Sequence, residues 1–465
     1  MTGKNVIIGI IDSGIDYMHP DFIDNNNTSR ILYIWDQTIN NTNKIPEGFT
    51  HGVEFTNQDI NQAISSNNPY EIVPHVDTIG HGTAVAGIAA GNGRSSNGQN
   101  IGVAPEASLI IVKLGEKGFP SFARTTEFMR GLKYIVDKAQ KLQMPVCINI
   151  SYGTNDGPHN GQSLFENFID NISQRWKTSI IVASGNEGAV GHHFQSKIKT
   201  GELQDVQFFY AGKYPSFYIT MWKNFVDNMT VELILPDNKS TGEILNFDLT
   251  RNYVIGDLSI FINYSQPQFY NSFQEIFFQI KSNQDTPPVG IYTIRIRAGQ
   301  IVDGSFDIYL PTTEEVSAET SFTNPNINST LTIPSSAQNV ITVGGYDSSR
   351  EIIADFSGKG YTLNIIYTKP DIVAPSVGIV TTKINGGYTA YSGTSMAAPF
   401  VTGSAALLME WGIVQQNDLF LYGERIKSYL KSGAKRLPNI IYPNNSWGYG
   451  SLCLLNTLRL LKNFS

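Results

Sequence analysis

The sequence predicts an α/β protein in which a parallel sheet flanked by helices is interrupted by an inserted all-β domain. Short β-branched runs alternate with segments of helical periodicity through residues 1–198, and the alternation returns after residue 329. This alternation is typical of a parallel sheet with crossover helices. Residues 199–328 instead contain aromatic and β-branched runs separated by turn residues, which is typical of a β-sandwich or jelly roll. We therefore predict one discontinuous domain (1–198 with 329–465) and an inserted domain (199–328).

The composition argues against several function classes. The chain of 465 residues has a formal net charge of −7 with the charges mixed along it, so no basic surface for nucleic acid is expected. No apolar run reaches the roughly 18 residues that a membrane span needs, and no signal-peptide pattern begins the chain. Cys147 and Cys453 do not have zinc-ligand spacing. Cys147 lies in a strand pattern that predicts a core side chain, with a disulfide to Cys453 as the alternative.

The first strand pattern, residues 6–11, ends at Asp12. Open α/β sheets place their sites at the carboxyl ends of such strands, although an aspartate that merely begins a turn is the alternative. Residues 24–76 are rich in polar and turn-forming types, so we expect surface loops with short elements there. We expect His19, His51 and His75 to be surface or turn residues.

His81 begins a predicted helix in which small residues, among them Ala84, Gly87 and Ala90, recur every few positions. This spacing predicts a helix packed closely against its neighbours. A histidine in this place is either a hydrogen-bonded structural residue or a catalytic one. Further strands are predicted at 108–114, 146–150, 179–183 and 340–346, and Asn186 follows the third of these.

Ser395 lies between a glycine-containing turn and a predicted apolar helix at 401–411. Proline is tolerated in a first helical turn, where its missing N–H leaves no bond unmade, so we place Pro399 there and Ser395 at a helix N-terminus. Unpaired N–H groups and the helix dipole favour negative charge at such a position. An N-cap serine on a core helix is the alternative.

These residue types suit a serine nucleophile. A neutral imidazole must take the serine proton, while a buried carboxylate holds the imidazole tautomer and stabilises its charged form. The oxyanion that forms needs fixed donors, and the Ser395 backbone N–H and the Asn186 side-chain amide would serve.

The chain resembles the subtilisin-like serine proteases (subtilases). The order Asp, His, Ser is the subtilisin order. The resemblance implies a serine endopeptidase with Asp12, His81 and Ser395 as catalytic triad, Asn186 as oxyanion donor and an acyl-enzyme intermediate. Four stretches carry it, namely IIDSGID at 10–16, GHGTAVAG at 80–87, ASGNEG at 183–188 and GTSMAAP at 393–399.

A narrower resemblance is to the clostridial Csp germination proteases. It implies a bacterial, spore-associated enzyme that activates the zymogen of a spore cortex-lytic hydrolase. Otherwise we expect a cytoplasmic enzyme, or one secreted by a route not visible in the chain. Some relatives are pseudoproteases without a triad, so a catalytically silent sensor or scaffold is the alternative, and carbohydrate binding by the inserted domain is a third hypothesis. The resemblance rests on DYMHPDF at 16–22, RILYIWDQT at 30–38, SYGTNDGPHNG at 151–161 and the β-rich insertion.

By family analogy, a peptide substrate would lie as an extra strand along two edges of the site. Tyr152 and Gly185 would border the pocket before the scissile bond, with packing of Tyr152 over the sheet end as the alternative. No cofactor and no metal site is predicted, although calcium is possible because many subtilases bind it through irregular loops. The expected partners are a protein substrate and an N-terminal prodomain of the kind that subtilases usually have. The predicted substrate-binding residues are Lys113, Leu114, Gly115, Ser151, Tyr152, Gly153 and Gly185.

Overall fold

The structure is a computed structural model that describes residues 1–40, 44–114, 125–245, 249–266, 271–360 and 368–463. Its helices are α1 (Asn57–Ile64), α2 (Pro69–Ile72), α3 (His81–Ala90), α4 (Thr125–Lys141), α5 (Leu164–Ser173), α6 (Thr394–Met409), α7 (Glu424–Gly433) and α8 (Leu454–Asn463). Its strands are β1 (Ile7–Asp12), β2 (Ile31–Asp36), β3 (Val53–Thr56), β4 (Ser108–Lys113), β5 (Val146–Ile150), β6 (Thr178–Ala183), β7 (His193–Lys197), β8 (Leu203–Tyr210), β9 (Ser216–Asn224), β10 (Met229–Ile234), β11 (Thr250–Ile255), β12 (Leu258–Tyr264), β13 (Phe273–Ser282), β14 (Gly290–Ala298), β15 (Ser305–Tyr309), β16 (Ser321–Phe322), β17 (Ile341–Asp347), β18 (Ile352–Ile353), β19 (Ile372–Pro375), β20 (Ile379–Thr382) and β21 (Tyr388–Tyr391).

A nine-stranded, mostly parallel sheet forms the centre of the molecule. Its order is β18-β17-β6-β5-β1-β4-β2-β3, with β19 paired beside β17. Only β3 and β18 run antiparallel to their neighbours. Because the other strands are parallel, their carboxyl ends lie at one edge of the sheet. The predicted α/β fold class is confirmed.

Both faces of this sheet are covered by helices, which explains the uninterrupted apolar run of β1. Successive side chains of a strand point to opposite faces. Ile8 and Ile10 pack with α3 and α6, whereas Ile7 and Ile11 pack with α4 and α5. The small residues of α3 permit close packing, as predicted, since a Cβ at Gly87 would lie 2.1 Å from Thr382 Oγ1.

The inserted region forms two antiparallel sheets, ordered β10-β14-β8-β16 and β11-β12-β13-β9-β15-β7. Alternate side chains of both sheets meet in one apolar cluster that includes Phe208, Met221 and Phe278. The six-stranded sheet includes β7, which begins at His193, before the predicted boundary at 199. The exact domain limits stay a prediction.

The expectation of surface loops at 24–76 is wrong for β2. This strand lies inside the central sheet, parallel to β4, and its Trp35 is fully buried. The Trp35 ring packs between Phe49 and Tyr134, with centroids 4.6 and 5.0 Å away. The short apolar run of β2 stands among polar residues, so burial of this strand depends on packing that the surrounding sequence does not indicate.

The expectation of surface or turn positions is wrong for His75, whereas His19 is buried but lies in a turn, where its N–H donates to the Asp16 carbonyl at 3.0 Å. His75 and His19 are 0% and 1% exposed, while His51 is partly exposed. The ring of His75 is satisfied within the protein, because Nδ1 lies 2.7 Å from Asp36 Oδ2 and Nε2 accepts a hydrogen bond from the Ile15 N–H at 3.1 Å. A carboxylate at the end of β2 therefore makes burial of this imidazole possible.

One helical stretch among the described residues, Thr394–Val414, would be long and apolar enough to cross a membrane. In this fold, 83% of the most apolar 18-residue part of this stretch is buried inside the protein. Its helix α6 packs against β5, β6 and β17. The buried Cys147 lies near the same helix, with its Sγ 3.4 Å from Met409 Sδ. Both cysteines are free.

Candidate active site

The alternation of β1 brings Asp12 to the helix-covered face on which the other site residues lie. Asp12 ends β1 and points to the same side as Ile10, where α3 and α6 begin with His81 and Ser395 in their first turns. Asp12 Oδ1 accepts hydrogen bonds from His81 Nδ1 and from the Ser13 backbone N–H, both at 2.7 Å. Asp12 is 8% exposed. Because Nδ1 donates to this carboxylate, the neutral ring keeps its basic lone pair on Nε2.

The loop before α3 is held by a second carboxylate, Asp77, which the sequence analysis missed. Asp77 accepts hydrogen bonds from the backbone N–H groups of Gly80 and Thr83 and from the hydroxyls of Ser13 and Thr83, at 2.7 to 3.0 Å. Gly80, the N-cap, has no side chain to satisfy these donors. Burial by itself would raise the pKa of Asp77, but these hydrogen bonds hold it below its ordinary value. The only signal in the sequence is an aspartate and a threonine flanking the GHG motif.

Ser395 is the second residue of α6, and Pro399 lies inside that helix, in its second turn. The prediction of a first-turn proline is therefore wrong. The missing N–H of Pro399 would have bonded the Ser395 carbonyl, four residues earlier. That carbonyl instead accepts a hydrogen bond from Ser151 Oγ at 3.1 Å, and Ser395 Oγ lies 3.4 Å from the Ser151 carbonyl, to which it donates. A side chain at the end of β5 thus replaces the helical donor and connects the sheet to the serine.

The amide of Asn186 is oriented by Thr394, the first residue of α6. Asn186 Oδ1 accepts hydrogen bonds from the Thr394 backbone N–H at 2.9 Å and from its hydroxyl at 3.0 Å. Because both groups are donors, the oxygen must face them, and the NH₂ group occupies the other side of the amide. Gly393 has a φ of +145° and approaches Asn186 closely, since a Cβ there would lie 3.4 Å from Nδ2.

A cleft lies between the end of β5, the loop after β6 and the start of α6. Four predicted substrate-binding residues line it together with Asn186 and Ser395, namely Ser151, Tyr152, Gly153 and Gly185.

The floor of this cleft contains Thr332, which the sequence analysis missed. A Cβ at Gly153 or Gly185 would lie 2.0 or 2.4 Å from Thr332 Oγ1, so both positions require glycine. Tyr152 borders the cleft and also packs over the sheet end, with its ring centroid 4.3 Å from that of Phe128. A role for Tyr152 in substrate binding stays a prediction.

Lys113 and Leu114 are placed differently from the other predicted substrate-binding residues. The Lys113 carbonyl accepts a hydrogen bond from the Gln37 N–H at 3.0 Å, and the Leu114 N–H donates to the Asp12 carbonyl at 2.9 Å. Both side chains are buried. Within the described ranges, neither residue lines the cleft with Ser395. Gly115 lies outside the described residues.

In the part of the chain that the structure describes, no group of three or more His, Cys, Asp or Glu side chains is arranged to hold a metal ion.

Comparison with known proteins is consistent with this geometry. Residues 3–218 and 303–450 match the model of the subtilase family. The structure of the Clostridium perfringens CspB protease is 38% identical, with a TM-score of 0.90, and the match covers 100% of this chain and 94% of that chain. The major intracellular serine protease of Bacillus subtilis (strain 168) is 27% identical over 306 residues, which are 60% of this chain and 76% of that protease. The PI-type proteinase of Lactococcus lactis subsp. cremoris is 25% identical over 459 residues, which cover 91% of this chain but only 23% of the proteinase.

Proposed function

Because this chain belongs to the subtilase family of serine proteases, we propose that it is an endopeptidase with Asp12, His81 and Ser395 as catalytic triad and Asn186 as oxyanion donor. The observation that carries this proposal is the 2.7 Å hydrogen bond between His81 Nδ1 and Asp12 Oδ1. Ser395, in the first turn of α6, lines the cleft together with Asn186.

In this proposal His81 Nε2 takes the proton of Ser395 Oγ as the oxygen attacks the scissile carbonyl. The Asp12 carboxylate stabilises the imidazolium, which then protonates the leaving amine. The oxyanion receives hydrogen bonds from the Asn186 amide and from the Ser395 backbone N–H, which is one of the unpaired donors of the first turn of α6. A water molecule, activated by the same imidazole, then hydrolyses the acyl-enzyme.

The physiological substrate in this proposal is the zymogen of a spore cortex-lytic hydrolase, and the enzyme is associated with the bacterial spore. Two observations support this. The likeness to the CspB protease covers the whole chain, and the stretches 16–22, 30–38 and 151–161 resemble the clostridial germination proteases. The position of Ser151, Tyr152, Gly153 and Gly185 in the cleft supports the substrate-binding roles that we propose for them.

A fluorophosphonate probe tests the catalytic assignment directly. We expect it to label the folded protein and not Ser395→Ala, whereas Ser392→Ala, at an exposed serine just before α6, keeps its label. Asn186→Ala should lower kcat by about 10²–10³, a range that we adopt by analogy with loss of the corresponding donor in subtilisin. Failure of the folded wild type to react, or equal labelling of Ser395→Ala, would contradict the triad. Failure to cleave a cortex-lytic zymogen while a general protein substrate is cleaved would contradict only the substrate.

A further inference from the structure

A second cavity, of about 240 Å³, lies beside the catalytic cleft where the two domains meet. The two are contiguous along two segments. Gly153 lines the cleft and Thr154 lines the cavity, while Glu314 lines the cleft and Glu315 lines the cavity. A protein bound at the cleft would therefore lie next to this second cavity.

Aromatic rings of the inserted domain form much of the cavity wall. Two of them, Tyr218 on β9 and Phe277 on β13, lie on neighbouring antiparallel strands, with ring centroids 6.0 Å apart and planes within 17° of parallel. Tyr214 and Phe217 complete this aromatic wall. Ring faces of this kind attract cations and also pack against the methylene groups of long side chains.

Carboxylates supply negative charge in the same cavity. Glu315 lines it and accepts hydrogen bonds from Tyr218 Oη at 3.2 Å and from the Thr312 hydroxyl at 2.9 Å. Asp156 also lines it and reaches solvent at its mouth. Glu275 lies on the same face of β13 as Phe277, because alternate residues of a strand share a face.

These carboxylates have no cationic partner in the described ranges, where no Lys, Arg or His forms an ion pair with Asp156, Glu275 or Glu315. Desolvation raises the pKa of Glu315 to about 7, and desolvation together with the charge of Asp156 raises that of Glu275 to about 8. Protein atoms packed around Asp156 raise its pKa as well, although its carboxylate reaches solvent. The nearby Lys213 ammonium donates instead to backbone carbonyls, including that of Glu314.

We propose that this cavity binds the basic side chain of a lysine or arginine that belongs to a protein bound at the catalytic cleft. The methylene stem would pack against Tyr218 and Phe277, and the cationic group would reach Asp156 and Glu315. Charge selects this occupant, because a cation stabilises the ionised carboxylates, whereas an apolar or acidic side chain would leave these desolvated groups to bind protons. The proposal rests on the proposed function only in taking the bound protein to be a substrate.

Binding can be measured without catalysis on the full-length Ser395→Ala protein. The probe is Nα-acetyl-lysine methylamide, and Nα-acetyl-norleucine methylamide is its neutral control. We expect the lysine compound to bind at least tenfold more tightly than the norleucine compound, and Asp156→Asn and Glu315→Gln each to weaken it by about tenfold, as expected for loss of a charged hydrogen bond. Asp257→Asn, at an exposed carboxylate elsewhere in the inserted domain, should leave binding unchanged.

A second variant covers the case in which loss of a carboxylate prevents folding. Phe277→Leu keeps all the charges and should weaken the lysine compound several-fold, because one cation-attracting ring is lost. Equal affinity for the two compounds, or unchanged affinity in the variants that fold, would overturn the proposal. Because the binding assay uses the Ser395→Ala protein, its result does not depend on catalysis. Failure of fluorophosphonate labelling would bear only on the proposed catalytic function.

Discussion

The amide group of Asn186 could face the cleft in either of two orientations, and a residue of α6 selects one. Thr394 presents two donors to it, so the oxygen is held and the NH₂ group is the part that an oxyanion can meet. Thr394 acts through Asn186 and is therefore a positioning residue. Its backbone N–H remains after any substitution other than proline, whereas its hydroxyl is lost on substitution by valine.

Replacing Thr394 by valine should lower kcat by about fivefold and leave KM nearly unchanged, since one net hydrogen bond of about 1 kcal/mol is lost while the shape is kept. Steady-state kinetics on a peptide substrate measures this split. Ser404→Ala, which removes a hydroxyl hydrogen bond elsewhere on the same helix, is the control and should leave kcat unchanged. A change confined to KM in Thr394→Val would contradict a role in the transition state.

Among the secondary structure elements, α3 depends on a carboxylate outside the helix. Its N-cap is a glycine with a φ of +81°, so Asp77 takes the place of the missing capping side chain. α1 offers a comparison, because its N-terminus has a regular capping box formed by Thr56 and Asp59. Both carboxylates stabilise a helix start, but only the first of these helices begins with the catalytic histidine of our proposal.

Asp77→Asn should therefore lower both stability and activity. We expect a loss of about 1–2 kcal/mol in the free energy of unfolding and a roughly tenfold fall in kcat, because the imidazole shifts. Asp59→Asn should cost similar stability and leave kcat unchanged. Thermal unfolding and steady-state kinetics of the two variants test this, and an equal loss of kcat in both would contradict a specific effect on the site.

The effect of Asp77→Asn on stability should also depend on pH. The pKa of Asp77 is lowered in the folded state, so its stabilising contribution is present above the unfolded pKa of about 4 and is lost as pH falls through the folded value. The difference in stability between wild type and Asp77→Asn should therefore shrink as the protein is acidified below about pH 4.

For the molecule as a whole, the inserted domain is joined to the α/β domain beside the cleft by polar and aromatic contacts. His159 stacks on Tyr309 at a centroid distance of 3.7 Å, and Asn155 Nδ2 donates to the Leu310 carbonyl at 2.9 Å. The carboxylates of the second cavity lie at the same junction. Folding thus brings negative charges together where the domains meet.

Burial of Glu275 at this junction, together with the charge of Asp156, raises its pKa and predicts that Glu275→Gln stabilises the protein at alkaline pH. The folded pKa of about 8 lies above the unfolded value of about 4.3, so the native state must bind a proton there, and the wild type loses stability as pH rises between these values. Glutamine avoids this loss, and after allowance for partial exposure we expect a gain of about 1–2 kcal/mol at pH 8.5 and almost none at pH 4.5. Denaturant unfolding at both pH values measures it, with the exposed Glu319→Gln as control. A gain of equal size at both pH values would contradict the cause.

The sequence by itself determined the fold class and the four motifs of the site. β-branched runs, helical periodicity and small-residue spacing are local patterns, and local patterns indicate strands and close-packed helices. Asp12, His81, Asn186 and Ser395 were predicted as site residues because their residue types and order suit one chemistry and their motifs resemble those of the subtilases. By contrast, the burial of His75 and of the strand containing Trp35 was missed, because nothing near them in the sequence indicates it.

Only the tertiary structure decided how these residues are supported. The Ser151 hydroxyl that replaces the missing donor of Pro399 and the Thr332 side chain in the cleft act across long sequence separations. The carboxylates of the second cavity likewise come from different domains. Hydrogen-bond partners and desolvated charges depend on which groups folding brings within a few ångströms, and no local pattern encodes that distance.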